Sequence, residues 1–199
     1  MLITSNCPII LASTSKIRKK LLKQLALKFS IQKPLFDEDH EKKYLKNLSC
    51  KQLSMYLATQ KALSISQKFP DAIIIGSDQV CEFENEPISK SKSFQEAISQ
   101  LKKFNGKTHY QNNSVVIVKN NKVIFKNFSK VKIKMRKLTE SEIKKYVDID
   151  KSWGCAGSYK YESMAQHLFE KVEGDYFSVL GIAIQPLLNF LYKNKIIKF

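Results

Sequence analysis

Two short polar clusters carry the residue types that could do chemistry. Ser13-Thr14-Ser15 follows the apolar run at 8–12 and leads into a stretch where Ile17, Leu21, Leu22 and Leu25 recur at helical spacing, with Lys16, Arg18, Lys19 and Lys20 around its first turn. The N–H groups and positive dipole end of a helix already attract an anion, and cationic side chains there oppose the dipole unless one is bound. Ser77-Asp78-Gln79 stands at the carboxyl end of Ala72-Ile73-Ile74-Ile75-Gly76, a β-branched run typical of a strand covered on both faces. In open α/β sheets ligands bind at that end of the strands. The two clusters outline an anion-binding turn and a ligand-facing carboxylate.

The elements that must position them follow from periodicity and punctuation. A helix starts after Ser15 as its N-cap, and residues 33–46, with Phe36-Asp37-Glu38-Asp39, read as a charged loop. A second helix spans about 50–68 and stops before Pro70; a third spans about 91–104 and stops at Gly106. Strands at 114–119 and 122–128 flank Asn120-Asn121, a hairpin signal, and Val131, Ile133 and Met135 alternate with lysines as a further strand with one wet face. Thr139-Glu140-Ser141-Glu142 is a capping box before a helix ending near Val147. A Gly-containing loop at 154–157, a strand near 176–182 and a helix after Pro186 complete the chain. The expected fold is α/β, one domain over 1–199, with a mixed central β-sheet flanked by helices and a cleft at the sheet edge.

Composition removes several function classes. Hydrophobic residues make up 43% and charged residues 26% of the 199 residues, globular values, and no apolar run approaches the ~18 residues of a membrane span. Residues 1–7 hold no Lys or Arg ahead of their apolar stretch, so no secretory signal is read and a cytoplasmic location is expected. Cys7, Cys50, Cys81 and Cys155 are scattered singly, as are His40, His109 and His167; buried free thiols are expected, and a His- or Cys-based metal site is not. The net charge of +16 invites a nucleic-acid reading, but the only arginines are Arg18 and Arg136, and base-reading proteins rely heavily on arginine forks. A solvated lysine-rich surface is the preferred account.

The segment Leu11-Ala12-Ser13-Thr14-Ser15-x-x-Arg18, then Ile75-Gly76-Ser77-Asp78-Gln79-Val80, Cys155-Ala156-Gly157-Ser158-Tyr159-Lys160-Tyr161-Glu162, and Gly174-Asp175-Tyr176 with Val179 and Gly181, resemble in order the four signatures of the Maf family of nucleoside triphosphate pyrophosphatases. The wording around Asp78 and Glu162 is closest to the branch described as 7-methyl-GTP pyrophosphatases. The resemblance implies a Maf/ITPase-like fold and hydrolysis of the α–β phosphoanhydride to a nucleoside monophosphate and diphosphate. It implies Asp78 as the water-activating base and Glu38 as its partner for a divalent cation, Mg²⁺ or Mn²⁺. It further implies Ser13, Arg18, Lys61 and Lys90 as phosphate contacts, and Ile17, Gln79 and Glu162 as the residues that select the base. A carboxylate can accept the N1–H and N2–H pair of guanine, which suits Glu162 to that base. An aromatic is common in that branch where Ile17 stands, and Tyr159, Tyr161 or Trp153 could take over its stacking.

Three segments depart from the family pattern: Ser89-Lys90-Ser91 for Gly-Lys-Pro, Ser163 for Gly, and Gly181-Ile182-Ala183-Ile184 for Gly-Leu-Pro-Leu. The partner expected is a nucleoside triphosphate, with no membrane, nucleic acid disfavoured and a homodimer left open. The alternatives are the same reaction on UTP, dTTP or CTP, and a catalytically weak homologue that binds nucleic acid or a protein partner.

Overall fold

The computed structural model describes residues 3–42, 45 and 47–199. The chain opens with β1 (Thr4–Ser5), β2 (Ile9–Ala12) and α1 (Lys16–Gln24), whose N-cap Ser15 accepts from the Arg18 N–H as expected. β3 (Ser30–Gln32), α2 (Glu38–Lys42) and α3 (Cys50–Ser66) follow, α3 being closed by a reciprocal box between Ser49 and Gln52. Next come β4 (Ile73–Phe83), β5 (Glu86–Ile88), α4 (Phe94–Phe104), β6 (Thr108–Lys119) and β7 (Lys122–Met135). The last third holds α5 (Glu140–Asp150), a 3₁₀ turn at Met164–Leu168, β8 (Phe169–Glu173), α6 (Tyr176–Val179), α7 (Ile184–Lys193) and β9 (Ile197–Lys198). No helix among the described residues is long and apolar enough to cross a membrane.

The main sheet runs β3-β2-β4-β6-β7-β8, with β5 beside β4; β1 and β9 form a separate pair. β3, β2 and β4 are parallel and the rest antiparallel, the mixed sheet expected. Strand alternation gives β4 two unlike faces. Ile74 meets Ala58, Ala62 and Ile65 of α3 on one side. On the other, Ile73 and Ile75 pack with Leu21, Leu22 and Leu187 of α1 and α7, while Cys81 and Phe83 pack with α4 and α5.

One edge of β4 is interrupted. β2 pairs with it as far as Ala12↔Gly76, and β5 pairs with it from Cys81↔Ile88 onward. β6 holds the other edge without a break from Ile74 to Glu82. Residues 77–80 therefore lie in a continuous strand with no neighbour on one side, and the ligand edge expected at a strand terminus is a gap within the sheet.

Several expected boundaries move, those of β4 and β7 because of pairing with β6 and the others because of local caps and turns. β4 does not end at Gly76, because β6 supplies hydrogen-bond partners through residue 82; Asp78 is a mid-strand residue. Residues 131–135 are no separate strand but the end of β7, whose partner β6 begins at Thr108, well before residue 114. Part of the expected charged loop is the helix α2, which Asp37 begins by accepting the His40 N–H; residues 43, 44 and 46 of that stretch lie outside the described residues. The strand expected at 176–182 is α6 and a turn, because the Asp175 side chain caps Ser178 N–H and Gly181 takes φ +102°. Pro186 sits inside the first turn of α7, where its missing N–H would be unbonded in any case. The Asn120-Asn121 turn is as expected, both residues at positive φ, and so is the Thr139–Glu142 capping box, although α5 runs one turn further to Asp150.

A side chain at Gly76 would break the approach of α3 to the sheet. An added Cβ would lie 2.1 Å from the Ala58 carbonyl oxygen and 2.9 Å from the Ala62 Cβ. Gly76→Ala should therefore lower folding stability by about 3 kcal/mol, read as a lower urea midpoint at unchanged m-value; an unchanged midpoint would show that α3 can shift freely.

Candidate active site

A cleft of about 360 Å³ opens at the interruption in β4 and is lined from both faces of the sheet. Alternation along the strand turns Asp78 toward α3 and Gln79 toward α6. The cleft thus has two chemically different halves, joined through the space that a paired strand would have filled.

The α3 half is an ion-pair group. The Lys61 ammonium is in direct contact with Asp78 and lies 2.6 Å from Glu38 Oε2, with the Lys61 side chain 13% and the Asp78 side chain 7% exposed. Ala58 and Ala62, one turn apart on α3, pack down onto Gly76 and bring Lys61 within reach of the strand. Removing one member of so buried a pair strands the other charge. Among the described residues no three His, Cys, Asp or Glu side chains gather to hold a metal ion by themselves.

Behind Asp78 the backbone is pinned from β6 and from the segment after α6. Asn113 Nδ2 donates to the Asp78 carbonyl oxygen at 3.1 Å, and Asn113 Oδ1 accepts the Ala183 N–H. The Gly181 carbonyl oxygen accepts from Arg18 Nε at 2.7 Å and lies 2.8 Å from Ser77 Oγ. Arg18 is buried, with Nη1 3.5 Å from Ser13 Oγ. Burial pulls its guanidinium below the ordinary value, Asp78 and Glu38 oppose that shift, and it stays a cation because an arginine starts so high.

The opposite half is an amide and aromatic wall. Gln79 Nε2 donates to the Ser178 and Val179 carbonyl oxygens at 3.1 and 2.7 Å. The connection from α5 to the 3₁₀ turn contributes Gly154, Cys155, Ala156, Tyr159, Tyr161 and Glu162, and β6 contributes Gln111. The Tyr159 hydroxyl accepts from Gln111 Nε2 at 2.7 Å and lies 3.0 Å from His109 Nε2. Burial pushes the Tyr159 phenol and the Cys155 thiol up, so both present neutral groups. All four cysteines are free, Cys50 and Cys81 buried as expected but Cys7 and Cys155 only half-buried.

Of the residues singled out from the sequence, Ile17, Arg18, Glu38, Lys61, Asp78, Gln79, Lys90 and Glu162 all line this cleft, Lys90 and Glu162 at its exposed rim. Ser13 does not: it is buried within the strand-to-helix turn, where its Oγ accepts the Ser15 N–H. The sequence reading missed Gln111, Asn113 and the Gly181 carbonyl. The signal for the first two was Gln111-Asn112-Asn113-Ser114, a polar run leading into an apolar strand and buried throughout, which marks side-chain amides committed to partners.

A family model for Maf-like proteins matches residues 8–194 of the chain. A nucleoside triphosphate pyrophosphatase from Legionella pneumophila subsp. pneumophila is 34% identical over 190 residues, covering 96% of this chain and 95% of that protein. A 7-methyl-GTP pyrophosphatase from Bartonella quintana is 37% identical over 185 residues, covering 90% and 92%. A nucleoside triphosphate pyrophosphatase from Ruegeria pomeroyi is 36% identical over 188 residues, covering 92% and 94%.

The cleft floor should register in the acid limb of stability. His109 is fully buried against Phe104, and burial pulls its imidazole from 6.5 down to about 3. The unfolded chain takes up this proton below about 6.5 and the folded one does not, so the stabilisation is complete above 6.5 and is lost as pH falls toward 3, at up to ~1.4 kcal/mol per unit. Urea unfolding of the wild type from pH 6 to 4 should be steeper in pH than that of His109→Phe by ~1 kcal/mol per unit; equal slopes would mean that the imidazole protonates in place.

Proposed function

The chain belongs to the Maf family, and from that premise we propose that it hydrolyses a nucleoside triphosphate between the α and β phosphates, with 7-methyl-GTP as its preferred substrate. One observation carries this reading: the break in β4 pairing joins a carboxylate and cation group on one sheet face to an amide and aromatic wall on the other. A nucleotide has the same division, a polyanion at one end and a flat hydrogen-bonding base at the other. The volume of about 360 Å³ is within the ordinary range for small-molecule sites.

On the α3 side, the triphosphate replaces carboxylates as the partner of Lys61. The ammonium moves from Asp78 and Glu38 to phosphate oxygens, and Asp78 is released to accept a proton from water. That water attacks the α-phosphorus, the bond to the bridging oxygen breaks, and diphosphate leaves with the electron pair. Arg18 and Lys90 offset the charge on the phosphates, and the Asn113 contact to its backbone keeps Asp78 in place during proton transfer. Asp78 and Glu38 converge on one point, and hard divalent ions are commonly held by one or two carboxylates completed by substrate phosphates; the donor set therefore fits a divalent cation once Lys61 has moved. Asp78 and Glu38 would hold Mg²⁺ or Mn²⁺, which would supply Lewis-acid polarisation of the phosphate and acidification of water.

On the α6 side, Glu162 takes the N1–H and N2–H edge of guanine, and its charge favours the cationic ring that N7-methylation creates. Tyr161, grouped with Phe169 and Tyr176, supplies aromatic surface where Ile17 offers none. The relative named a 7-methyl-GTP pyrophosphatase supports this choice of base.

A nucleotide panel assayed for diphosphate release with Mg²⁺ or Mn²⁺ should rank 7-methyl-GTP first. Asp78→Asn should lose about 10³-fold in kcat while keeping the wild-type circular dichroism, and Glu162→Gln should reduce the preference for guanine over uracil more than it reduces kcat. Full activity in folded Asp78→Asn would remove the mechanism. UTP or dTTP as best substrate would replace the base assignment, and salt-resistant nucleic-acid binding without turnover of any nucleotide would replace the hydrolase.

A further inference from the structure

Glu162 makes no hydrogen bond or ion pair with any other described residue, and it lies at the exposed rim of the cleft. A side chain with that many rotors is aimed only if the backbone beneath it is fixed. The residues on either side of the Tyr161-Glu162 pair supply that restraint, and both grip the end of α5. Ser163 Oγ donates to Asp150 Oδ1 at 2.6 Å, and Lys160 Nζ donates to the Asp150 carbonyl oxygen at 2.5 Å. The Lys160 backbone N–H donates to the Tyr146 hydroxyl at 3.0 Å, so α5 holds this strand of loop at three points.

Asp150 is a costly residue for local reasons alone. It is 7% exposed and it is the last residue of α5, where the dipole disfavours a negative charge. Its carboxylate nevertheless accepts from the Ser163 hydroxyl, beside Glu162. Ser163 occupies a position where the family pattern has glycine, and its φ of −127° is not in the left-handed region that favours glycine. What the serine adds is the hydroxyl. The far end of the same loop is tied in the same manner: the Gly154 N–H donates to the Ser91 carbonyl oxygen at 2.8 Å, and Ser158 Oγ lies 2.8 Å from Ser91 Oγ. Ser91 is another departure from the pattern, so two of the altered positions hold the base-facing loop.

We infer that Asp150 is a positioning residue for base recognition, fixing Tyr161 and Glu162 in the cleft through its contacts with Ser163 and Lys160. The inference rests on the base-selecting role proposed for Glu162. Ser163 is exposed, so its substitution should leave the fold intact, and it touches neither the phosphate half of the cleft nor Asp78.

The test compares KM and kcat of Ser163→Ala, Ser163→Thr and Glu162→Gln for 7-methyl-GTP, GTP and UTP, with thermal unfolding midpoints as the check on folding. Ser163→Ala should raise KM for the guanine nucleotides about tenfold, the scale of one charge-assisted hydrogen bond, with kcat within about twofold and the UTP constants unchanged. Ser163→Thr, which keeps the hydroxyl, should return KM to the wild-type value. An unchanged KM ratio in folded Ser163→Ala, or an equal loss for all three nucleotides, overturns the inference. If Glu162→Gln shifts the guanine-to-uracil ratio while Ser163→Ala does not, the positioning role alone fails. If Glu162→Gln leaves that ratio unchanged, the base assignment fails and the positioning role falls with it.

Discussion

The seating of α3 on β4 at Gly76 is the constraint on which the rest of the cleft depends. There the helix backbone comes so near the strand that no β-carbon fits between them, and one turn along the helix Lys61 reaches the strand residue two places further on, Asp78. A helix seated farther out would leave Asp78 and Glu38 facing each other without a shared cation. Two carboxylates in a partly buried cleft would then repel, and the protein would relieve that by protonation or by moving α2. Close packing and charge compensation are therefore the same structural fact at this point.

The gap in β4 pairing is the second element. Parallel β2 and antiparallel β5 approach the same edge from opposite directions and stop short of each other, while β6 keeps the strand extended across the gap. Without β6 the unsupported segment would coil, and its alternation would be lost. With it, neighbouring residues face opposite sides of one sheet and still share one cleft. Asn113 bonds the Asp78 carbonyl from β6, and the Ser77 hydroxyl and the Gln79 amide bond carbonyls of the 178–181 segment, which is why the C-terminal third folds against the same strand.

Part of the charge of +16 lies in and beside the cleft. The arginine in the cleft is buried and committed to Gly181 and Ser13. Lys16, Lys19, Lys20 and Lys23 lie on the exposed face of α1, beside the end of the cleft where Ser15 and Ile17 stand. A field of that sign raises the local concentration of any anionic small molecule. It does so without specificity, which is left to the few side chains inside.

The chain's local code was legible where a segment's own residues decide its conformation. The strand before Ser13, the Ser15 cap, the Asn120-Asn121 hairpin, the Thr139–Glu142 box and the mixed α/β architecture all follow from side chains a few positions apart. The residues gathered in the cleft were legible as well, though through resemblance of their motifs. What remained for the tertiary structure was which edges are paired. Nothing within residues 77–83 says whether the strand stops or continues, because the answer lies in the hydrogen-bonding groups of 110–118, some 35 residues away. Likewise 176–182 has strand-like composition, but the Asp175 cap and the bonds that Arg18, Ser77 and Gln79 make to its carbonyls fold it into a turn. Periodicity records which face of an element meets the core; it holds no information about which backbone edge is left open, and at that open edge the two faces of the sheet meet in one cleft.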